Sequence, residues 1–203
     1  MRIVVVGATG TIGQAVVRAL EKRHDIVRVA HTHGDHRVDT SSRDSIDMLY
    51  SAIGAFDALV CAAGLAKFAP FEALTDSDFE LGEKSKWMGQ VNLVRLGLPH
   101  VRDGGSFTLT SGVLANEPIP GSAAISPVNA AVEAFGRAAA LEMPRGIRIN
   151  TVSPPWVAET LARMGRDPSA GMPAEKVAAA YVESVEGRET GKVIDARQVG
   201  QKL

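Results

Sequence analysis

The chain has 203 residues, a formal net charge of −1 and one cysteine. The near balance of acidic and basic residues gives no electrostatic basis for binding nucleic acid or an anionic membrane surface, and a single cysteine excludes an internal disulfide framework. No apolar stretch reaches the roughly 20 residues of a membrane span, and Met1 leads directly into an apolar run, so we expect a cytoplasmic chain that folds as one domain over residues 1–203.

Short apolar runs alternate with longer stretches of helical periodicity along the chain. The predicted strands are Ile3–Val6, Ile26–His31, Asp57–Val60, Ser106–Thr110, Ile147–Val152 and Lys192–Ala196. The predicted helices are Gln14–Glu21, Ser42–Ile53, Asp76–Pro99, Ala123–Met143 and Ala174–Glu186, and a mobile loop is expected over Pro168–Pro173. This alternation predicts a parallel sheet covered by helices on both faces.

The first predicted strand leads into a glycine-rich turn, Gly7–Gly13, which reads Gly-Ala-Thr-Gly-Thr-Ile-Gly. Glycines permit a tight turn and a close approach of the backbone, and the unpaired N–H groups of the following helix face an anion. A strand, such a turn and a helix N-terminus in that order predict a binding site for a dinucleotide pyrophosphate. The alternative is an ordinary strand–helix turn that happens to contain three glycines.

Four later segments resemble the short-chain dehydrogenase/reductase superfamily. Cys61–Gly64 is similar to the Asn-Asn-Ala-Gly segment that closes the fourth strand of those enzymes, and Thr108–Ser111 to the segment with their catalytic serine. Gly146–Pro154 closely resembles their Gly-Ile-Arg-Val-Asn-x-Val-x-Pro-Gly signature, and Gly191–Ile194 the entry to their last strand. The resemblance covers nearly the whole chain and implies a Rossmann fold, a doubly wound parallel sheet of about seven strands with helices on both faces.

The same resemblance implies which residues contact a nicotinamide dinucleotide. Asp39 corresponds to the acidic residue that contacts the adenine, although an aspartate at this place is also suited to capping a helix. Pro155 replaces the glycine that the family places beside the nicotinamide, which stiffens the loop. The expected cofactor-binding residues are Gly7, Thr9, Gly10, Thr11, Ile12, Gly13, His31, Thr32, Asp39, Thr40, Cys61, Ala62, Ala63, Gly64, Pro154 and Val157.

The end of the second predicted strand bears on the choice between NADP and NAD. Relatives that use NAD generally carry an acidic residue there, which binds the ribose 2′-hydroxyl. Val29–Gly34 has no acid at its tip, so we expect NADP(H), with NAD as the alternative. His31, His33 and His36 could on paper hold a divalent metal ion. Polar loop residues near a phosphate are the simpler interpretation, and no metal site is predicted.

The catalytic residues of that family do not all have counterparts here. Ser111 stands at the serine position, but the usual Tyr-x-x-x-Lys pair falls on Ile125 and Asn129, and the usual asparagine falls on Lys86. One interpretation is an exchange of roles, in which a desolvated Lys86 ammonium is the acid and Asn129 holds the ribose or a water. The alternative is that Lys86 is a solvated helix lysine. The predicted catalytic residues are Ser111, Lys86 and Asn129.

Tyr50 and Tyr181 are interpreted as packing residues, so neither is expected to replace the missing phenol. The family's usual dimer contact implies a homodimer or homotetramer, unless the small residues on its two long helices pack within the chain. Those residues are Gly89, Leu93, Leu96, Gly97, Ala130, Ala134, Ala138 and Leu141.

A short lid around residues 154–173 predicts an open, mostly apolar pocket for a small carbonyl or alcohol. Its expected walls are Leu65, Phe68, Leu114, Trp156, Val157 and Met164. The predicted function is that of an NADP(H)-dependent oxidoreductase. The alternatives are a dinucleotide-binding sensor or regulatory protein without turnover and, less favoured, a non-redox enzyme that uses the same cleft.

Overall fold

The computed structural model describes residues 1–200, so the last three residues of the predicted domain lie outside the described part. A single sheet of seven parallel strands in the order β3-β2-β1-β4-β5-β6-β7 confirms the predicted fold class. The strands are β1 Arg2–Val6, β2 Asp25–Ala30, β3 His36–Arg37, β4 Phe56–Cys61, β5 Val101–Thr110, β6 Arg148–Ser153 and β7 Val193–Asp195.

Seven α-helices connect or cover the strands. They are α1 Thr11–Leu20, α2 Arg43–Ile53, α3 Asp76–Gly82, α4 Met88–Gly97, α5 Ile125–Ala140, α6 Ala158–Arg163 and α7 Ala174–Glu186. No helix within residues 1–200 has the length and apolar character needed to cross a membrane.

The sheet separates two hydrophobic cores. Side chains of a strand alternate between its faces, so Ile3 and Val5 of β1 pack with α1 and α7, while Val4 and Val6 pack with α2, α4 and α5. All four of these β1 side chains are at most 1% exposed. Burial on both faces explains why this strand reads as a continuous Ile/Val run rather than an alternating one.

The strand order places the expected site. β1 pairs with β2 on one side and with β4 on the other, so the chain changes direction across the sheet at β1. A crevice forms outside the carboxyl ends of the strands at such a point, because the connections on either side leave it uncovered. The glycine turn after β1 opens onto this crevice.

Several of the predicted elements differ from those in the structure. Strand β3 occupies two residues of a segment predicted as a polar loop, and β5 begins at Val101 rather than Ser106. The predicted loop Pro168–Pro173 contains a 3₁₀ turn over Pro168–Ala170 and follows helix α6, which was not predicted. Two-residue strands and single turns lack the repeated periodicity on which sequence patterns rely.

The helix predicted over Asp76–Pro99 is interrupted in the middle. A π-helical turn, Glu83–Trp87, separates α3 from α4. The Lys86 carbonyl oxygen accepts a hydrogen bond from the Gln90 side chain at 3.0 Å, and the same amide nitrogen donates to the Thr110 carbonyl oxygen at 2.9 Å. Gln90 therefore ties the irregular turn to the end of β5, and π turns of this kind are frequent at functional sites.

The two helices expected at a dimer contact have different surroundings. On α4, added side chains at Gly89 and Gly97 would meet Thr40 and Tyr50 at 2.9 and 2.5 Å, and Leu93 is fully buried. These residues pack within the chain, as the alternative interpretation held. On α5 and just beyond it, all four of the residues expected at the contact are exposed: Ala130, Ala134, Ala138 and Leu141.

Candidate functional site

The turn after β1 forms a cradle with room for a ligand but not for side chains. Gly7 has φ +85°, and a Cβ there would lie 2.7 Å from the Ala62 carbonyl oxygen. A Cβ on Gly13 would lie 1.9 Å from the Gly7 carbonyl oxygen. Gly10 is the N-cap of α1 and no side chain caps the first N–H groups of that helix. These groups are left to bind an anion, so the residues present fit a dinucleotide pyrophosphate.

A cleft of about 850 Å³ extends from this cradle. Eleven of the predicted cofactor residues line it: Gly7, Thr9, Gly10, Thr11, Ile12, His31, Asp39, Thr40, Ala62, Ala63 and Gly64. The other five, Gly13, Thr32, Cys61, Pro154 and Val157, lie outside the lining. Gly13 serves the site through its close packing on Gly7, whereas Cys61 is fully buried in the core.

The cleft also has lining residues that were not predicted as cofactor contacts. Their positions depend on the three-dimensional approach of segments that are distant in the chain. They are Val6, Ala30, Val38, Ser41, Leu65, Leu81, Lys84, Ser85, Thr160 and Arg163. Leu65 alone among these was predicted at the site, as a wall of the substrate pocket.

At the end of the cleft predicted to hold the adenine, Asp39 shapes the turn between β3 and α2. Its Oδ1 accepts hydrogen bonds from the Ser41 backbone N–H at 2.9 Å and from the Ser41 hydroxyl at 2.6 Å. These two bonds lower the pKa of the Asp39 carboxyl, which keeps it ionised. Ser42, rather than Asp39, caps α2, through its Oγ and the Ser45 N–H.

The histidine-containing segment after β2 is polar and exposed. His31 lines the cleft, and His33 is solvent-exposed. Asp35 accepts a hydrogen bond from the Arg28 backbone N–H at 2.8 Å, which closes the turn. Within the described range 1–200, no group of three or more His, Cys, Asp or Glu side chains is arranged to hold a metal ion.

Lys86 lies in the π-helical turn, immediately behind the cleft-lining Gly64. A Cβ on Gly64 would come within 3.0 Å of the Lys86 Cα and Cγ atoms. Lys86 is only 9% exposed, and its Nζ donates a hydrogen bond to the Ser111 carbonyl oxygen at 3.2 Å. Burial lowers the pKa of this ammonium to about 8, opposed only partly by the nearby Cys61 thiol. Lys86 is therefore a buried lysine and not a solvated one.

Ser111 points into the protein toward α5. Its hydroxyl donates a hydrogen bond to Glu133 Oε1 at 2.8 Å, and the other carboxylate oxygen accepts one from the Asn116 side-chain amide at 3.1 Å. Arg137 Nη1 lies 3.8 Å from the same oxygen. A hydroxyl that donates its only proton to a carboxylate has none to donate to a substrate. In this arrangement the Ser111 hydroxyl can accept a hydrogen bond from a ligand but cannot donate one.

Glu133 is the residue of this network that the sequence analysis missed. It is 2% exposed and stands four residues after Asn129, on the same face of α5. A lone carboxylate on the buried face of an alanine-rich helix requires a partner, and that was the available signal. Its partner could not be read from the sequence, because Ser111 lies 22 positions away.

Asn129 lies against the backbone that follows β5. Its amide nitrogen is 3.0 Å from the place a Cβ would take on Gly112, and the residue is 1% exposed. Its Oδ1 atom has no hydrogen-bond partner among residues 1–200. A buried acceptor without a partner costs free energy, so this oxygen is available to a ligand or an ordered water.

The two tyrosines lie in the cores and leave the site without a phenol. Tyr50 donates to the Leu93 carbonyl oxygen at 2.5 Å, and the Tyr181 hydroxyl is 2.7 Å from Thr110 Oγ1. Both are at most 1% exposed, and burial raises the pKa of each phenol. The packing role predicted for them is confirmed.

The short lid approaches the cleft from the side of β6. Trp156 meets Phe68 edge to face, with ring centroids 5.4 Å apart, and the Arg166 guanidinium lies 5.8 Å from each ring centroid. Leu65 and Met164 are exposed nearby, 63% and 48% respectively. Of the other predicted walls, Leu114 and Val157 are buried.

Comparisons with known proteins agree with this geometry. A family model described as enoyl-(acyl carrier protein) reductase matches residues 1–194. The protein lin1944 from Listeria innocua is 42% identical over 96% of this chain and 98% of that one, with a TM-score of 0.92. The crystal structure of a small-chain dehydrogenase in complex with NADPH is 27% identical over 96% of this chain and 95% of that one, with a TM-score of 0.84.

Two curated relatives extend the comparison. Hydroxynaphthalene reductase arp2 of Aspergillus fumigatus is 31% identical over 111 residues, which cover 54% of this chain and 41% of that protein. An uncharacterized oxidoreductase of Methylorubrum extorquens is 26% identical over 200 residues, 85% of this chain and 81% of that one. The match to the first relative therefore spans less than half of its length.

Proposed function

We propose that this chain, which belongs to the short-chain dehydrogenase/reductase superfamily, is an NADP(H)-dependent oxidoreductase that acts on a small carbonyl or alcohol through Lys86. The family supplies the general activity, oxidoreduction with a nicotinamide dinucleotide. The choice of cofactor, the substrate and the acid–base group are the parts that we infer from the site. The observation that carries the proposal is a buried lysine whose Cα and Cγ lie directly behind the cleft-lining Gly64 and whose ammonium is bound to the Ser111 carbonyl oxygen.

The preference for NADP(H) rests on the end of β2. Ala30 and His31 line the cleft there, and neither carries a carboxylate that would repel a 2′-phosphate; the Asp39 carboxylate of the same lining accepts hydrogen bonds from Ser41. Arg37 is the register partner of Ala30 on β3, which brings a cation to the same edge. A neutral or positively charged end of β2 favours the 2′-phosphate of NADP(H) over the 2′-hydroxyl of NAD(H).

The acid–base role falls to Lys86. A bound nicotinamide supplies the hydride in reduction and accepts it in oxidation. Lys86 Nζ gives a proton to the substrate oxygen in reduction and takes it back in oxidation, which a pKa of about 8 permits near neutral pH. The Ser111 carbonyl oxygen orients the ammonium. Asn129 Oδ1 is free to accept a hydrogen bond from the cofactor ribose or from a water in the proton path.

NADPH oxidation against a panel of small carbonyl compounds tests this proposal, with NADPH and NADH binding measured in parallel. We expect turnover of at least one carbonyl and tighter binding of NADPH. Lys86→Met should lower turnover about a hundredfold, the size of a lost general acid, and change NADPH affinity little. Lys192→Met is the matched control, since Lys192 is exposed, paired with Glu189 at 3.6 Å and outside the cleft lining. Equal loss in both variants would count against Lys86.

A second candidate function is dinucleotide binding without turnover, as in a sensor or regulatory subunit. It is favoured by the Ser111 hydroxyl, which is bound to Glu133, and by Ile125, which cannot donate a proton. Tight NADPH binding without oxidation of any carbonyl in the panel would select this function.

In either case we propose a homodimer or homotetramer whose contact uses the exposed alanine stripe of α5, which consists of Ala130, Ala134 and Ala138. Light scattering, which measures the mass of the assembly in solution, tests this proposal.

A further inference from the structure

Arg163, the last residue of α6, extends from the lid to the glycine cradle. Its guanidinium donates a hydrogen bond from Nη2 to Thr11 Oγ1, at the first residue of α1. The same side chain lines the dinucleotide cleft and a shallower depression of about 340 Å³ beside it. Arg163 thus stands at the point where the predicted pyrophosphate would lie.

The lid segment that carries Arg163 is fixed at its other end. The Ala158 N–H donates to the Met172 carbonyl oxygen at 2.9 Å, and the Glu159 carboxylate accepts the Ala174 N–H, which begins α7, at 3.0 Å. Arg163 therefore extends from an anchored helix, although the sequence predicted only a lid with a mobile loop here. A pre-positioned side chain loses less conformational entropy when it binds a ligand.

The charge of Arg163 is not neutralised by the part of the chain that the structure describes. No carboxylate within residues 1–200 lies within 4.0 Å of its guanidinium, and its hydrogen-bond partner is a neutral hydroxyl. Glu159, one helical turn earlier, is engaged with α7. Lys84, another cation of the lining, is paired with Glu80. Arg163 is the cation in this cleft that remains open to an anion.

We propose that Arg163 binds the pyrophosphate of the dinucleotide together with the N–H groups at the start of α1. A guanidinium has five N–H donors. Because Arg163 donates one of them to Thr11, the others are available to phosphate oxygens. The helix N-terminus has no formal charge, whereas Arg163 brings a full positive charge to that end of the helix. This inference rests on the proposed function and adds a lid residue to the cofactor site.

Calorimetric titration of Arg163→Met with ADP and with adenosine tests the inference. Loss of a charge-assisted hydrogen bond should weaken ADP about tenfold and leave adenosine, which lacks phosphates, unchanged. Arg166→Met is the matched control, because Arg166 lies on the same lid, over the Phe68 and Trp156 rings and outside the cleft lining. Arg163→Lys keeps the charge but lacks the planar guanidinium, so its ADP affinity should lie between those of wild type and Arg163→Met.

The outcomes separate this inference from the proposed function. If wild type binds neither ADP nor NADPH, the dinucleotide site itself is wrong. If wild type binds both and the two methionine variants match it, or if Arg163→Met weakens adenosine as much as ADP, the role of Arg163 is overturned. Unchanged unfolding temperatures in all variants show that the lid and α1 remain folded.

Discussion

The two ends of the site are built by different means. The cradle after β1 consists of backbone groups and glycines; a Cβ on Gly7 or Gly13 would collide with the backbone, and Gly7 also has a positive φ. The region at the ends of β4 and β5 consists of buried side chains, in which Lys86, Ser111 and Glu133 engage one another or nearby backbone. The first end keeps the glycine spacing of the family, whereas the second is organised around a buried ammonium.

Substitution of Gly10 gives the largest expected effect and tests the cradle end. A Cβ on Gly10 meets only the Gly7 carbonyl oxygen, at 3.3 Å, and its φ of −75° suits any residue, so Gly10→Asp should fold. The new carboxylate would repel the pyrophosphate by about 4 kcal/mol at 4 Å, roughly a thousandfold in NADPH affinity. Titration by fluorescence or calorimetry measures this change.

Gly10→Asn is the matched control for that experiment. Asparagine has the same shape without the charge, and both residues are good N-caps, so the two variants should share an unfolding temperature. We expect Gly10→Asn to retain NADPH binding within about tenfold of wild type, since it adds no repulsive charge. If both variants lose the same amount of NADPH affinity, the added side chain excludes the ligand sterically. If both variants bind NADPH as tightly as wild type, the pyrophosphate lies elsewhere.

The pH dependence of protein stability gives a smaller expected effect and tests the end of the site that contains the buried Lys86. The pKa of Lys86 is lowered to about 8 in the folded chain, from 10.5, so the unfolded chain binds more protons between these values. The free energy of unfolding should therefore rise with pH across that interval, by up to roughly 3 kcal/mol. Below pH 8 both states are protonated and the burial penalty is fully present.

The difference between wild type and Lys86→Met isolates this contribution, because both share every other titrating group. Denaturant unfolding at pH 7 and at pH 10 should show Lys86→Met as the more stable protein at pH 7, with the advantage shrinking toward pH 10. A pH-independent difference would mean that Lys86 keeps an ordinary pKa.

The contrast between the two ends also explains what the sequence could predict. Gly7 and Gly13 have steric roles that follow from local geometry, and the continuous Ile/Val run of β1 identifies a buried strand. The fold class and most of the cleft lining were therefore accessible from residue order. The exposed α5 stripe and the substrate pocket remain predictions.

The rest depended on contacts between distant segments. The direction of the Ser111 hydroxyl is set by Glu133 on α5, and the burial of Lys86 by a π turn that Gln90 holds against β5. Arg163 reaches Thr11 across 152 positions of the chain. No local pattern encodes such pairs, and the helical periodicity of residues 76–99 could not show where the helix is interrupted.

The pH dependence of NADPH oxidation tests the assignment of the proton to Lys86 most directly. With the best carbonyl of the panel, the rate should fall about tenfold per pH unit above a pKa of about 8, because reduction needs the protonated ammonium, and the residual rate of Lys86→Met should lack this limb. A wild-type rate that stays level up to pH 10, or a limb that persists in Lys86→Met, would contradict the account.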